Sequence, residues 1–421
     1  MAPAVIPSRA RAQQKTLKIL QWKHFVPSYD AWFNGTYVKE WGAQNNTQVI
    51  VDNVGLGDIG ARAAAEAEAR QGHDLVMLLA APALYEDQVI DHREIYEECE
   101  RRYGDASNFA IKSTYNPKTN KYFGFCSAFL PALLTYRKDL WDAVAGTPDS
   151  WDDIRRVGRQ IKLLHGSPVG ISLAPEHNSE HTLRAILHSF GASVQDGEGN
   201  PTLKSKETLE AIKYVKALYQ EALTEEMLTW DAASNNRFML TGEGCLTLDT
   251  MSIVRASETT QLPVANDLRL TAAPEGPAGR LAPSFGIFTY FIWSFAENVA
   301  GAKQFLMDYT ARSQEGFLAS GFQNMPSFLK TAPDLTQLVA NDPNATPPDK
   351  YRALADGPTW TTNIGYPGYT NAATAEVYAK GLLPTMCARA ATGELTPEEA
   401  LDQADSEVRV IFRKWKESGK I

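Results

Sequence analysis

The chain has 421 residues, of which 44% are hydrophobic and 10% aromatic. That is enough for a large core and more than one core usually serves, so two or three domains are expected. Its 41 basic and 50 acidic residues give a net charge of -9 without a basic stripe, which argues against a nucleic-acid partner, and no run of about 18 apolar residues offers a membrane-spanning helix.

In chain order, the opening MAPAVIPSRARAQQK contains Ala10, Arg11 and Ala12, a small-x-small pattern of the kind that precedes a signal-peptidase cut. Residues 1–14 therefore read as the remnant of an export signal, although they suit a disordered cytoplasmic tail equally well. The apolar run TLKIL is a strand, and QWKHFVPSYDAW follows it, an unusually aromatic connection. A helix is expected from about Asp30, with Phe33, Tyr37 and Trp41 on one buried face. TQVIVDNV is a second strand, GDIGARAAAEAEAR an alanine-rich helix that Asp58 can cap, and DLVMLL a strand covered on both faces. This βαβαβ order calls for a parallel sheet flanked by helices.

Further on, YFGFCSAFLPALLTY is a long apolar stretch interrupted by Pro131. In SWDDIRRVGRQIKLL, Ser150 and Asp153 resemble a capping box, and Trp151, Ile154, Val157, Ile161 and Leu164 form the expected buried stripe. PVGISLA reads as a strand, HTLRAILHSFG as a helix stopped by Gly191, and KETLEAIKYVKALYQEAL as another helix. CLTLDTM is strand-like with Asp249 at its far end, IFTYFIW is a strand and NVAGAKQFLMDYTA a helix. The last helix is announced by Thr396, Pro397 and Glu399, with Leu401, Ala404, Val408, Ile411, Phe412 and Trp415 as its stripe. Four scattered cysteines, Cys99, Cys126, Cys245 and Cys387, form no Cys-x-x-Cys pair; one or two disulfides are compatible with an exported chain, but their pairing cannot be read.

Two motifs point toward enzymes. Gly55-x-Gly57-x-x-Gly60 opens a helix after a strand, as an NAD-dependent dehydrogenase would require, but Asp74 precedes the next apolar run and so lies at the wrong end to hold a ribose. A tight turn explains the glycines as well. His177-Asn178-Ser179-Glu180-His181 matches the inverted zinc-peptidase pattern, yet it follows Pro175 directly, so His177 would fall in the cap or first turn, a poor place for the first of two ligands. No metal and no cofactor is therefore expected.

Loop aromatics are the larger signal: Trp22, His24 and Phe25 after the first strand, Trp230, and Trp360, Tyr366 and Tyr369 in GPTWTTNIGYPGYTN. Taken singly, each suits a core anchor. Taken together beside Asp231, Asn235, Asn236, Asp249 and Asn363, they suit a polyhydroxylated ligand, whose C–H faces stack on rings and whose hydroxyls need fixed partners. The expected ligand contacts are Trp22, His24, Phe25, Trp230, Asp231, Asp249, Trp360 and Tyr366.

The succession LKILQWKHFVPSYDAWF, GDIGARAAAEAEARQGHDLVML, YRKDLWDAV with TPDSWDDI, GEGCLTLD, APSFGIFTYFIWSFAENVAGAKQFLMDY and ATGELTPEEALDQADSEV resembles the family 1 extracellular solute-binding proteins of ABC importers, over nearly the whole chain from about Lys15. The resemblance implies a type II periplasmic-binding-protein-like α/β fold, with two lobes, each a mainly parallel sheet flanked by helices, and hinge crossings between them. The implied lobes are 15–126 plus 284–327 and 127–283 plus 328–421, with crossings near Cys126 to Pro131, Ala282 to Gly286 and Pro326 to Lys330. The implied function is capture of a sugar or sugar derivative in the cleft, without catalysis, by an exported, periplasmic and monomeric receptor that delivers it to a membrane permease. Trp22 to Pro27 and the loop of Trp230 and Asp231 match ligand-facing positions of sugar-binding members. Many of those carry a stacking tryptophan in a Gly-Pro-Trp setting after the strand that matches CLTLD; Thr250, Met251 and Ser252 stand there instead, which argues against a malto-oligosaccharide.

Overall fold

A computed structural model describes residues 14–421; the segment read as an export-signal remnant lies, but for its last residue, outside the described residues. Two sheets organise the chain. The first has six strands in the order Met325–Pro326, Phe125–Leu130, Gly286–Ile292, Leu75–Leu78, Lys15–Trp22 and Thr47–Val54. The second has four, in the order Leu268–Ala272, Leu133–Arg137, Leu246–Asp249 and Val169–Gly170. Helices cover both sheets, and each sheet is the centre of one lobe.

Burial follows strand position. Phe125–Leu130 and Gly286–Ile292 are buried at every residue, as expected of strands covered on both faces, whereas the edge strand Thr47–Val54 alternates. The helix expected from Asp30 starts earlier, at Pro27, whose fixed φ and missing N–H suit a first helical position. It runs through a π turn at Phe33–Tyr37, and Phe33, Tyr37 and Trp41 are all buried. Ser150 and Asp153 form the expected capping box, as do Thr396 and Glu399.

The expectation of mainly parallel sheets holds only for the three N-terminal strands. Lys15–Trp22 pairs in parallel with both Thr47–Val54 and Leu75–Leu78, but Gly286–Ile292 runs antiparallel to its neighbours on either side. In the second sheet only Val169–Gly170 and Leu246–Asp249 are parallel. Parallel neighbours need a crossover through a helix, whereas these strands enter from the other lobe and can take either direction. Two local expectations are also corrected. Asp58 makes no capping bond, and the helix Leu56–Ala69 starts from Gly55. Leu164 is 65% exposed because the stripe of helix Trp151–His165 ends a turn earlier, at Ile161.

The crossings position the cleft. Phe125–Leu130 pairs with the first sheet along its whole length, so the expected boundary at Cys126 falls inside a strand, and the chain changes sheet over Pro131 and Ala132. Ala282–Pro283 pairs with Thr361–Thr362 before the chain re-enters the first sheet at Gly286. Ser284 ties these two crossings together: its Oγ accepts the Leu130 N–H at 3.0 Å and lies 2.9 Å from the Leu130 carbonyl. Beyond Met325–Pro326 the chain stays on the first lobe to Thr331, where Phe328 packs on Phe125 and the Leu329 N–H bonds to Asp105 O. All four cysteines are buried free thiols.

Candidate functional site

The carboxyl ends of the first-lobe strands deliver one wall of an inter-lobe cleft. Past Leu75–Leu78, Leu78, Leu79 and Ala80 line it, together with Leu56, Gly57, Ile59 and Gly60 from the start of the alanine-rich helix. The opposite wall comes from the second lobe: Glu176, His177 and Glu180 at the start of helix His177–Ser189, Trp230 and Asp231 from their loop, and Tyr378 and Lys380 from the end of helix Ala372–Ala379. Between the walls lies a cavity of about 580 Å³. That falls within the range of sites that enclose a small polar solute. One wall is apolar and the other polar and aromatic.

The polar wall is built by a helix start. Glu176 caps helix His177–Ser189 through both carboxylate oxygens, accepting the Asn178 N–H at 2.7 Å and the Ser179 N–H at 2.7 Å. Burial nonetheless raises its proton affinity. His177 is held at both ring nitrogens, Nε2 against the Phe285 carbonyl at 2.7 Å and Nδ1 against the Tyr378 hydroxyl at 2.8 Å; the same hydroxyl lies 3.3 Å from His181 Nε2. Burial lowers the pKa of both histidines, so both are neutral near pH 7. Glu180 is ion-paired with Arg184 one turn on. The three residues that match a zinc motif are thus committed to the hinge carbonyl, a tyrosine and an arginine. Among the described residues no three His, Cys, Asp or Glu side chains stand together as a metal would need. Asp74 sits at the amino end of its strand and accepts the Lys18 and Asn298 N–H groups.

Deeper in the second lobe, Asp249 ends its strand opposite Leu133, just after the first crossing. It accepts from Ser252 Oγ at 3.3 Å, and burial, opposed by the bonds from Ser252, Thr250 and Asn235, raises its pKa to about 7. Asn178 Nδ2 donates to Asn235 Oδ1 at 2.9 Å, and Asn236 Nδ2 to Ser252 Oγ at 3.1 Å, so this network links the capping turn to the end of the strand.

The eight expected contact residues divide. Trp230 and Asp231 line the cleft, half-buried and exposed respectively. Asp249 is buried behind that wall. Trp22 and His24 lie at the carboxyl end of the first strand but are 1% and 3% exposed, in an aromatic cluster with Phe288 and Tyr29. His24 Nε2 is 3.2 Å from Asn324 Oδ1, and its Nδ1 accepts the Val26 N–H, which requires the neutral ring that burial also favours, with a pKa of about 4. Phe25 alone of the three presents its ring to solvent, at 37%. Trp360 is not at the cleft: it is buried beneath the first crossing, where its indole N–H donates to Ala132 O at 3.0 Å. Tyr366 packs on His188 at the far end of helix His177–Ser189. Those two follow the core-anchor reading that each aromatic allowed singly.

Sequence reasoning missed Glu176, Tyr378 and the apolar wall as site residues, and singled out His177 and Glu180 as a zinc ligand and its general base or, otherwise, as part of a polar helix start facing a ligand. Pro175 and the polar residues after it were a signal for a helix start facing a ligand; Tyr378 carried none, because it reaches the cleft only when two distant helices pack. A larger recess of about 910 Å³ lies between Val26 and Ser28 on one side and Arg255, Glu258 and Asp342 on the other. Its arginine is already engaged. Arg255 pairs with Asp342 and Glu258, with its guanidinium 3.7 Å over the Tyr351 ring and 4.5 Å over Phe322, which leaves little for a ligand to recruit.

Comparison with known proteins agrees on the architecture. The family model for bacterial extracellular solute-binding proteins matches residues 27–315. The maltose-bound MalE3 of T. maritima superposes with a TM-score of 0.74 at 18% identity, covering 94% of this chain and 99% of that one. A sugar transporter protein of Arthrobacter chlorophenolicus with bound laminaribiose reaches 0.77 at 14% identity over 94% and 99%, and a solute-binding protein of Agrobacterium radiobacter in complex with ribitol reaches 0.75 at 16% over 94% and 98%. A Brucella abortus protein named only as a binding protein is 26% identical over 112 residues. That match covers 26% of this chain and 27% of the relative, so the chain spans about a quarter of the length of the curated relatives it matches.

Proposed function

The chain belongs to the bacterial extracellular solute-binding proteins, and from that premise we propose that it captures a carbohydrate or carbohydrate derivative between its lobes and delivers it to the membrane permease of an ABC importer. The observation that carries this reading is the cleft itself. A two-lobed cavity of about 580 Å³ sets Trp230 and Tyr378 beside three carboxylates and a histidine on one wall and an apolar surface on the other. Sugar rings have the same division, with C–H faces that stack on aromatic planes and hydroxyls that need fixed acceptors and donors.

In this reading the protein acts as a monomer without catalysis, in the periplasm or its extracytoplasmic equivalent. No helix among the described residues is long and apolar enough to cross a membrane. We take the lobes as 15–130 plus 284–331 and 133–283 plus 332–421, with closure about Pro131–Ala132 and Ser284–Phe285; the closed form is what the permease would recognise. The His177 bond to the Phe285 carbonyl connects a cleft residue to one crossing, so that occupancy of the cleft bears on the hinge. Thermal shift against sugars, polyols, amino acids and polyamines tests the ligand class: a rise in melting temperature with sugars or polyols is expected, and a rise with amino acids alone would overturn the carbohydrate assignment.

A further inference from the structure

The cations around the polar wall balance its carboxylates only in part. Glu176, Glu180 and Asp231 all line the cavity, and Lys380 is the lining cation. Lys380 Nζ lies 3.6 Å from Glu376, which commits its charge outside the cleft. Asp231 pairs with Arg237 at 2.9 Å in a solvent-exposed bridge. Arg184 meets only one oxygen of Glu180. The other, Oε1, has no hydrogen-bond partner although the residue is 2% exposed and lines the cavity. Glu176 has no basic partner among the described residues, nor has Asp249, which lies close enough for the two carboxyl groups to repel. Buried carboxylates without a counter-charge are costly, and a positive group between them would remove that cost.

The rest of the site is compatible with a cation and unfavourable to an anion. His177 is neutral, so no imidazolium competes. Trp230, half-buried at the cavity, offers a ring that attracts ammonium groups, whereas the Tyr378 ring already carries the Arg184 guanidinium 5.3 Å from its centroid. A carboxylate or phosphate on the ligand would instead face Glu176 and Glu180 across a short, partly desolvated gap.

We propose that the preferred solute is a cationic, amine-bearing sugar derivative whose ammonium group sits against Glu176 and Glu180 on the second-lobe wall. This rests on the carbohydrate reading above and narrows it. The first consequence is an order of affinity: an amino sugar binds more tightly than its neutral parent, and an acidic sugar least.

Calorimetric titration of the intact protein at pH 7 with matched sets (glucosamine, glucose and glucuronate; galactosamine, galactose and galacturonate) tests it directly. The amine should bind at least about tenfold more tightly than the neutral parent in one set, with the advantage shrinking as salt is raised. Glu176→Gln removes the charge and keeps one of the two cap acceptors, and it should lower the affinity for the amine by a larger factor than the affinity for the neutral parent, so that most of the advantage disappears. Equal or tighter binding of the neutral or acidic member overturns the inference and leaves the carbohydrate reading standing. Binding of simple polyamines with no response to any sugar overturns the carbohydrate reading and leaves the cation site standing. No response to any amine-bearing compound overturns the inference.

Discussion

Two aromatic loops, one in each lobe, begin from the same sequence texture and end in different places. Trp22, His24 and Phe25 follow the first strand, and Trp230 and Asp231 follow a short helical turn; both are aromatic and polar loop segments. On the first-lobe side the loop folds back under Pro27–Trp32, so Trp22 and His24 join a cluster with Tyr29 and Phe288 and lose almost all contact with solvent. On the second-lobe side Trp230 packs one face on Phe238, at 5.1 Å between ring centroids, and remains half-buried at the cavity. An aromatic loop residue becomes a wall or an anchor according to what the next element covers.

The strongest way to break this contrast is acid, because it acts on buried neutral histidines in both lobes. His24 and His92 are pushed to about 4 and His188 to about 3 by burial, and His177 and His181 are lowered in the same direction. For each, the folded value lies below the unfolded value of 6.5, so its stabilising contribution is present above pH 6.5 and is lost as the pH falls toward the folded value. Each can cost up to about 1.4 kcal/mol per pH unit. Asp249 and Glu176, whose proton affinities are raised, run the opposite way and offset part of the loss. His73 also opposes it. Its burial disfavours the charge, but Glu66 at 2.6 Å and Asp52 at 3.1 Å outweigh that and raise its pKa, so its contribution is present below 6.5 and fades as pH rises through the raised value. The net expectation is a loss of several kcal/mol between pH 6.5 and 4.5 in calorimetric unfolding. A flat profile there would mean that these rings are not buried and neutral.

Trp22→Ala sharpens the contrast next. Removing a side chain 1% exposed from an aromatic cluster should destabilise the protein by about 3–5 kcal/mol in denaturant unfolding, whatever it does to ligand binding. A loss below about 1 kcal/mol would return Trp22 to the ligand surface. Trp230→Ala is the smallest expected change in stability, within about 1 kcal/mol, with a substantial loss of ligand affinity by the same thermal-shift panel. Equal stability losses for the two tryptophans would erase the distinction between the two loops.

Particular residues show how far the sequence reached. The capping boxes at Ser150 and Thr396, the stripe of Phe33, Tyr37 and Trp41, and the doubly covered strand at Leu75–Leu78 were all legible, because they depend on residues within a turn or two of one another. The contact set was legible in part. Trp230 and Asp231 could be named from composition and resemblance, but Trp360 and Tyr366 carried the same signal and pack at Ala132 and His188 instead. Tyr378 reaches His177, next to Glu176, across 201 residues of chain, and no local pattern records that.

By itself, then, the sequence determined the α/β alternation, the helix starts at Ser150 and Thr396 and the need for more than one core, since hydrophobic periodicity and capping are short-range. The tertiary structure alone decided strand direction, which follows from where the chain re-enters each sheet, and the position of the crossings at Pro131–Ala132 and Ser284. It also decided which aromatics the core covers. Burial is a property of the elements that pack over a side chain, and here those elements come from distant parts of the chain.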